Sequence, residues 1–81
     1  MPLTIKVYSR PGATCPQCEA TFRFLKTRNI AHEAIDIDTD AEALSLIRSM
    51  GYAQVPVIVT SDRHWSGYRP DLLEELAAAA T

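Results

Sequence analysis

The 81-residue chain, 47% hydrophobic with a net charge of −2, has the material for one hydrophobic core and little more. Eight Lys+Arg against ten Asp+Glu exclude the strongly basic balance of non-specific nucleic-acid binders, so no nucleic-acid partner is expected. No run approaches the roughly 18 apolar residues of a membrane span, and the opening MPLTIKVYSR lacks the basic start and long apolar stretch of a secretion signal. The expectation is one domain over residues 1–81, soluble, cytoplasmic and monomeric, in a compartment where thiols stay reduced. Charge is uneven along the chain. Residues 1–32 hold five basic groups and one acid, while residues 33–81 hold three and nine. The basic part could steer an acidic partner, although charge runs are ordinarily solvated faces.

In chain order, LTIKVYS (3–9) alternates Leu3, Ile5 and Val7 with Thr4, Lys6 and Tyr8 and predicts a first strand. Tyr8 reads as core or rim rather than chemistry. PGAT (11–14) is a loop. From Cys15 to about Arg28, Cys18, Phe22 and Leu25 recur at helical spacing. HEAIDID (32–38) predicts a second strand with Ile35 and Ile37 on one side. TDAE (39–42) has the capping-box pattern, Thr39 as cap and Glu42 three residues on. The helix it opens is expected to turn Leu44, Ile47 and Met50 inward and to stop at Gly51. VPVIV (55–59) reads as a buried strand opening at its proline, and HWS (64–66) as a short partner strand. Pro70 and Asp71 suit the start of a last helix with Leu72, Leu73, Leu76 and Ala80 as its apolar stripe. The predicted class is α/β: a β-α-β-α-β-β-α order giving a four-stranded mixed sheet flanked by three helices.

Both cysteines lie in TCPQC (14–18), where the first strand gives way to the first helix. Two intervening residues at a strand-to-helix junction are the thioredoxin-like redox signal. Cys15 falls at the predicted N-cap, where free amides and the helix dipole favour a thiolate. Pro16 suits the first turn, since its missing N–H has no helical partner there. Cys18 falls on the inward stripe. Cys15 is thus the candidate attacking thiol and Cys18 the resolving one. A metal or iron–sulfur module is the competing class. His32 and His64 stand 32 positions apart rather than the three to five of zinc pairs, so no metal is expected. Asp36, Asp38 and Asp40 imitate a calcium loop but meet Ala41 where Gly is needed and Ile47 where Glu is needed.

The CxxC, the QVPV stretch (54–57) and HWSGYRPD (64–71) together resemble the NrdH-redoxins, small glutaredoxin-like proteins, over nearly the whole chain. That resemblance implies a thioredoxin-like fold with Cys15 and Cys18 as the exchanging pair. It implies electrons arriving from NADPH through thioredoxin reductase and leaving to the disulfide of a class Ib ribonucleotide reductase large subunit, with no bound cofactor. It implies a cis bond before Pro56 beside the thiols and a Val55 backbone offered to an extended partner. Pro16, Gln17, Trp65, Ser66, Gly67, Tyr68 and Arg69 complete the implied partner-binding face. Trp65 is also readable as packing beneath the hairpin. Ser66, Arg69 and Asp71 are expected to include a local hydrogen-bond network. The alternative is a glutathione-dependent glutaredoxin. Glutaredoxins usually have an aromatic residue where Gln17 stands, and a Gly-Gly-x-Asp type segment, holding glutathione, where Ser66-Gly67-Tyr68-Arg69 stand. Arg10 precedes Cys15 by five residues rather than the family's three, so the role of the family's basic residue is not carried over to it.

Overall fold

The structure, a computed structural model, describes residues 5–12 and 14–80, with residue 80 described through its backbone alone. Leu3 and Thr4 of the expected first strand, Ala13 of the loop and the Ala80 side chain lie outside the described residues. The elements are β1 (Lys6–Ser9), α1 (Pro16–Thr27), β2 (Glu33–Asp36), α2 (Ala41–Ser49), β3 (Val57–Val59), β4 (His64–Ser66) and α3 (Pro70–Ala80). The sheet order is β2-β1-β3-β4, with β1 parallel to β2 and antiparallel to β3, and β3 antiparallel to β4. The parallel pair needs a crossover, which α1 supplies; β3 and β4 need only a turn, closed where the Thr60 N–H donates to the Arg63 carbonyl at 2.8 Å. This is the mixed sheet with three helices expected from the sequence.

Because side chains alternate across a strand, each central strand feeds two cores. Val7, Ile58 and Trp65 join Leu25, Leu73 and Leu76 on the face covered by α1 and α3. Tyr8 and Val57 join Ile37, Ala43 and Ile47 on the other face, under α2. Tyr8 is therefore a core residue. Leu25, Ile58 and Leu73 have no exposed surface, and each such burial contributes about 1.5–3 kcal/mol.

Four local expectations are corrected. The cap of α2 is Asp40, whose Oδ1 accepts the Ala43 N–H at 3.0 Å. Thr39 is occupied by the turn after β2, giving both its N–H and its hydroxyl to the Asp36 carbonyl at 3.3 Å. Glu42 then stands two residues after the cap, where a capping box cannot close. The inward line of α2 is Ala43 and Ile47, with Leu44 half-buried and Leu46 45% exposed. Strand β3 begins after the proline, at Val57, and β2 stops at Asp36, two residues short of the expected end. Gly51 does end α2, at φ +92°, with the Tyr52 N–H returning to the Ile47 carbonyl at 3.0 Å.

Candidate active site

Cys15 is the N-cap residue of α1. Its Sγ accepts the Cys18 N–H at 3.2 Å, the task a Ser or Asp side chain performs at most helix starts. Pro16, exposed, occupies the first helical position. One turn on, Cys18 is 5% exposed, on the stripe with Leu25 and the half-buried Phe22. The two sulfurs form a disulfide across a Cα separation of 5.2 Å. Cys15 is half-buried, so the pair has one reachable sulfur and one covered sulfur, the asymmetry that the helical spacing predicts. Thr21, missing from the expected stripe, is fully buried, and its hydroxyl is satisfied there by donating to the Gln17 carbonyl at 2.8 Å.

The chain returns to this point at Val55–Pro56, a cis peptide bond. The Val55 carbonyl oxygen is 3.8 Å from Cys15 Sγ. The Pro56 carbonyl accepts the Gly67 N–H at 2.8 Å, and the Ser66 hydroxyl donates to the Gln54 carbonyl at 3.1 Å. These bonds place the segment before α3 beside the proline and hence beside the disulfide. Gln17 completes the arrangement: its Oε1 accepts the Tyr68 N–H at 3.0 Å. Residues 15–18 at the head of α1, 54–56 before β3 and 66–68 at the end of β4 are thereby brought together.

Two residues of the expected face take other places. Trp65 is 6% exposed and sits opposite Ile58 in the β3–β4 pair, inside the core formed with α1 and α3. The pleat of β4 turns it inward while His64 and Ser66 point the other way. It supports the site from beneath and offers no docking surface. Arg69 points to Asp71, which accepts from its guanidinium through both carboxylate oxygens, at 3.2 and 3.1 Å. That hydrogen bond, first, holds the Asp71 carboxyl below its usual range and the Arg69 guanidinium above its own. Ser66 belongs to a separate bond, so the expected Ser66–Arg69–Asp71 group divides into two.

Sequence reasoning left Arg10 unassigned, and the fold places it beside the disulfide. It lines a groove of about 340 Å³ with Cys15, Ile47, Arg48, Tyr52 and Val55. It also lines a smaller cavity of about 210 Å³ with Ser9, Cys15, Cys18, Glu19 and Phe22. Its Nε lies 3.1 Å from Asp38 Oδ1 without the alignment of a hydrogen bond, so the contact is a charge pair at a half-exposed site. Ser9, at the end of β1, is 2% exposed and its hydroxyl has no hydrogen-bond partner. Nothing in a single sequence marks a serine as sharing a cavity with the cysteines of the next helix; the β1–α1 junction brings it there. His32 and His64 are both exposed. The first has its Nδ1 2.9 Å from the Ile30 carbonyl, and the second pairs with the Tyr52 hydroxyl at 2.6 Å. Among the described residues no three His, Cys, Asp or Glu side chains gather as a metal site, and no helix is long and apolar enough to cross a membrane.

This geometry can carry thiol–disulfide exchange, and comparison with known proteins points to the same chemistry. The glutaredoxin family model matches residues 5–65. The glutaredoxin-like protein NrdH of Escherichia coli K12 is 38% identical over 77 residues, covering 95% of this chain and 93% of its own. Its counterpart in Lactococcus lactis subsp. lactis is 36% identical over 73 residues, covering 90% and 99%. The solved structure of the E. coli NrdH-redoxin, a glutaredoxin-like protein with a thioredoxin-like activity profile, superposes with a TM-score of 0.84 at 38% identity over 90% of this chain and 93% of that one. A glutaredoxin from Archaeoglobus fulgidus gives 0.71 at 35% identity, over 89% and 83%. Similarity of this extent, centred on a CxxC that closes into a disulfide at the head of a helix, makes the chain a thiol–disulfide oxidoreductase of the glutaredoxin family, in its NrdH-redoxin branch.

Proposed function

We propose that this protein carries electrons from NADPH, through thioredoxin reductase, to the disulfide of a class Ib ribonucleotide reductase large subunit. It acts as a cytoplasmic monomer without a bound cofactor. The Cys15 thiolate attacks one sulfur of the partner's disulfide; the new bond is a mixed disulfide, and the partner's other sulfur leaves as a thiolate. Cys18, deprotonated, then attacks Cys15 Sγ, which restores the Cys15–Cys18 disulfide and releases the partner reduced by two electrons. The half-buried Cys15 suits the first role and the covered Cys18 the second. Val55, with its backbone beside Cys15, would receive an extended partner segment.

The observation that carries the choice of electron donor is the closure of the segment before α3. The acid nearest that segment, Asp71, is engaged on both oxygens by Arg69, and the Gly67 N–H is engaged by Pro56, so a glutathione molecule finds neither an open carboxylate for its amine nor that amide for its carboxylate. The glutathione-dependent reading draws on the groove holding Arg10 and Arg48, which could take a carboxylate on the other side of Cys15.

The test is NADPH consumption during reduction of a small disulfide, coupled either through thioredoxin reductase or through glutathione and its reductase. Turnover with thioredoxin reductase alone is expected. Cys15→Ser abolishes it, and Cys18→Ser accumulates the mixed disulfide. Efficient turnover with glutathione would replace this reading with the glutaredoxin one.

A further inference from the structure

Gln17 stands between the two cysteines, in the first turn of α1, and its side chain reaches the segment before α3. The approach is close. A β-carbon at position 67 would stand 3.0 Å from Gln17 Oε1, and Gly67 has φ +91°, where L side chains are disfavoured. Two consecutive amides of this segment lie beside the disulfide, and both are occupied. The Gly67 N–H goes to the Pro56 carbonyl, a backbone bond built into the fold. The Tyr68 N–H goes to a side chain that is itself exposed, so the spot filled by Gln17 Oε1 is within reach of solvent.

We propose that Gln17 is a specificity-determining latch, occupying the Tyr68 N–H and so withholding that amide from the carboxylate of a small thiol. A carboxylate is a stronger acceptor than an amide oxygen, and its hydrogen bond to a backbone N–H is charge-assisted. Gln17 competes intramolecularly, held at the amide by the first turn of α1, whereas a dissolved thiol must be captured from solution. Arg69 is already paired with Asp71 through Nε and Nη2, which weakens its pull on a second carboxylate. With the latch removed, the freed N–H fixes a carboxylate-bearing thiol while its thiolate bonds Cys15 Sγ, the Cys15–Cys18 bond breaks and Cys18 leaves as a thiolate. The inference rests on the electron-donor reading above, to which it adds the residue responsible for refusing glutathione.

The experiment compares reduction of the oxidised protein by glutathione and by glutathione diethyl ester, which has the same thiol but masked carboxylates. Rates are measured for the wild type, Gln17→Ala and Gln17→Glu at one ionic strength, with hydrogen exchange of the Tyr68 amide followed by NMR. In Gln17→Ala the Tyr68 amide exchanges faster, and the ratio of free-acid to diester rates rises about tenfold, the worth of one charge-assisted hydrogen bond at an exposed site. In Gln17→Glu, which keeps an acceptor on the amide, the ratio stays at or below the wild-type value. An equal acceleration of both thiols in Gln17→Ala would show a loosened CxxC turn and overturn the proposal. So would an unchanged ratio in a variant whose Tyr68 amide has become free. Coupling of the wild type to thioredoxin reductase plays no part in this ratio, so the donor reading and the latch can fail separately.

Discussion

Gly67→Ala isolates the contact between the CxxC turn and the segment before α3. Two costs are expected. The first is conformational: at φ +91° an alanine meets its own backbone, which costs about 1–2 kcal/mol. The second is steric. The new β-carbon lies 3.0 Å from Gln17 Oε1, a flexible and exposed side-chain end that can swing away, at the loss of its bond to Tyr68, about 0.5–1.5 kcal/mol. The sum in the wild-type background is about 1.5–3.5 kcal/mol. In the Gln17→Ala background only the conformational part remains, about 1–2 kcal/mol, because the atom being struck is gone. Urea unfolding of the oxidised protein in all four combinations gives the coupling directly, about 0.5–1.5 kcal/mol if the contact is as described. Thermal midpoints should move in proportion, about 4–8 °C per kcal/mol for a domain of this size. Equal costs for Gly67→Ala in both backgrounds would mean that Gln17 does not press on residue 67, and the reasoning about the latch would lose its geometric basis.

Asp40→Ala should destabilise the protein by about 1 kcal/mol, while Thr39→Ala costs less, since the hydroxyl it removes makes a single exposed turn bond; the reverse order in denaturant unfolding would restore Thr39 as the cap. The Asp71 carboxyl is held below its unfolded value by Arg69, so its contribution is present above the ordinary carboxylate range and is lost as pH falls through the depressed value. Asp71→Asn should therefore flatten the acid limb of the stability profile slightly, and added salt should shrink the difference, because the pair is fully exposed. Asp38→Asn leaves Arg10 without its charge partner in the groove beside Cys15. The freed cation favours the Cys15 thiolate and so the reduced form, raising the reduction potential by about 5–20 mV, the equivalent of a half-exposed charge pair. A fall in potential, read by equilibration with a reference dithiol couple, would contradict it.

The architecture was legible because each element carries its own period and punctuation. Alternation marked the first strand, the spacing of Cys18, Phe22 and Leu25 marked α1, and Gly51 marked the end of α2. The errors fell where two local signals compete. Thr39 and Asp40 are adjacent cap-forming residues, and the choice between them depends on Asp36, whose carbonyl draws Thr39 into a turn. The inward line of α2 runs through Ala43 and Ile47, four apart on one face, while the larger Leu44 and Met50 expected there are half-buried. Trp65 was ambiguous because an aromatic residue next to a loop has the same local pattern whether it faces a partner or the core; only its register against Ile58 decides it. The candidate site was legible at the CxxC, where local helix geometry suffices. Its other parts were not, since Ser9, Arg10 and Gln54 acquire their roles from chain segments that meet only in the fold.

The spacing of the cysteines does more than allow a disulfide. An N-cap residue accepts the N–H found three positions on, and here that N–H belongs to Cys18 itself. The same interval that brings the two Cα atoms to 5.2 Å therefore makes the backbone of one cysteine the donor to the sulfur of the other. The helix start that creates this bond is secured by Pro16 and by the buried stripe of α1. A thiolate at Cys15 is a stronger acceptor for that amide than a disulfide sulfur, since hydrogen bonds to ionised acceptors are the stronger kind. In the proposed exchange the Cys18 N–H therefore favours Cys15 in the form that attacks. Cys18, one turn further into the core and 5% exposed, gains none from that amide, in keeping with the proposed resolving role.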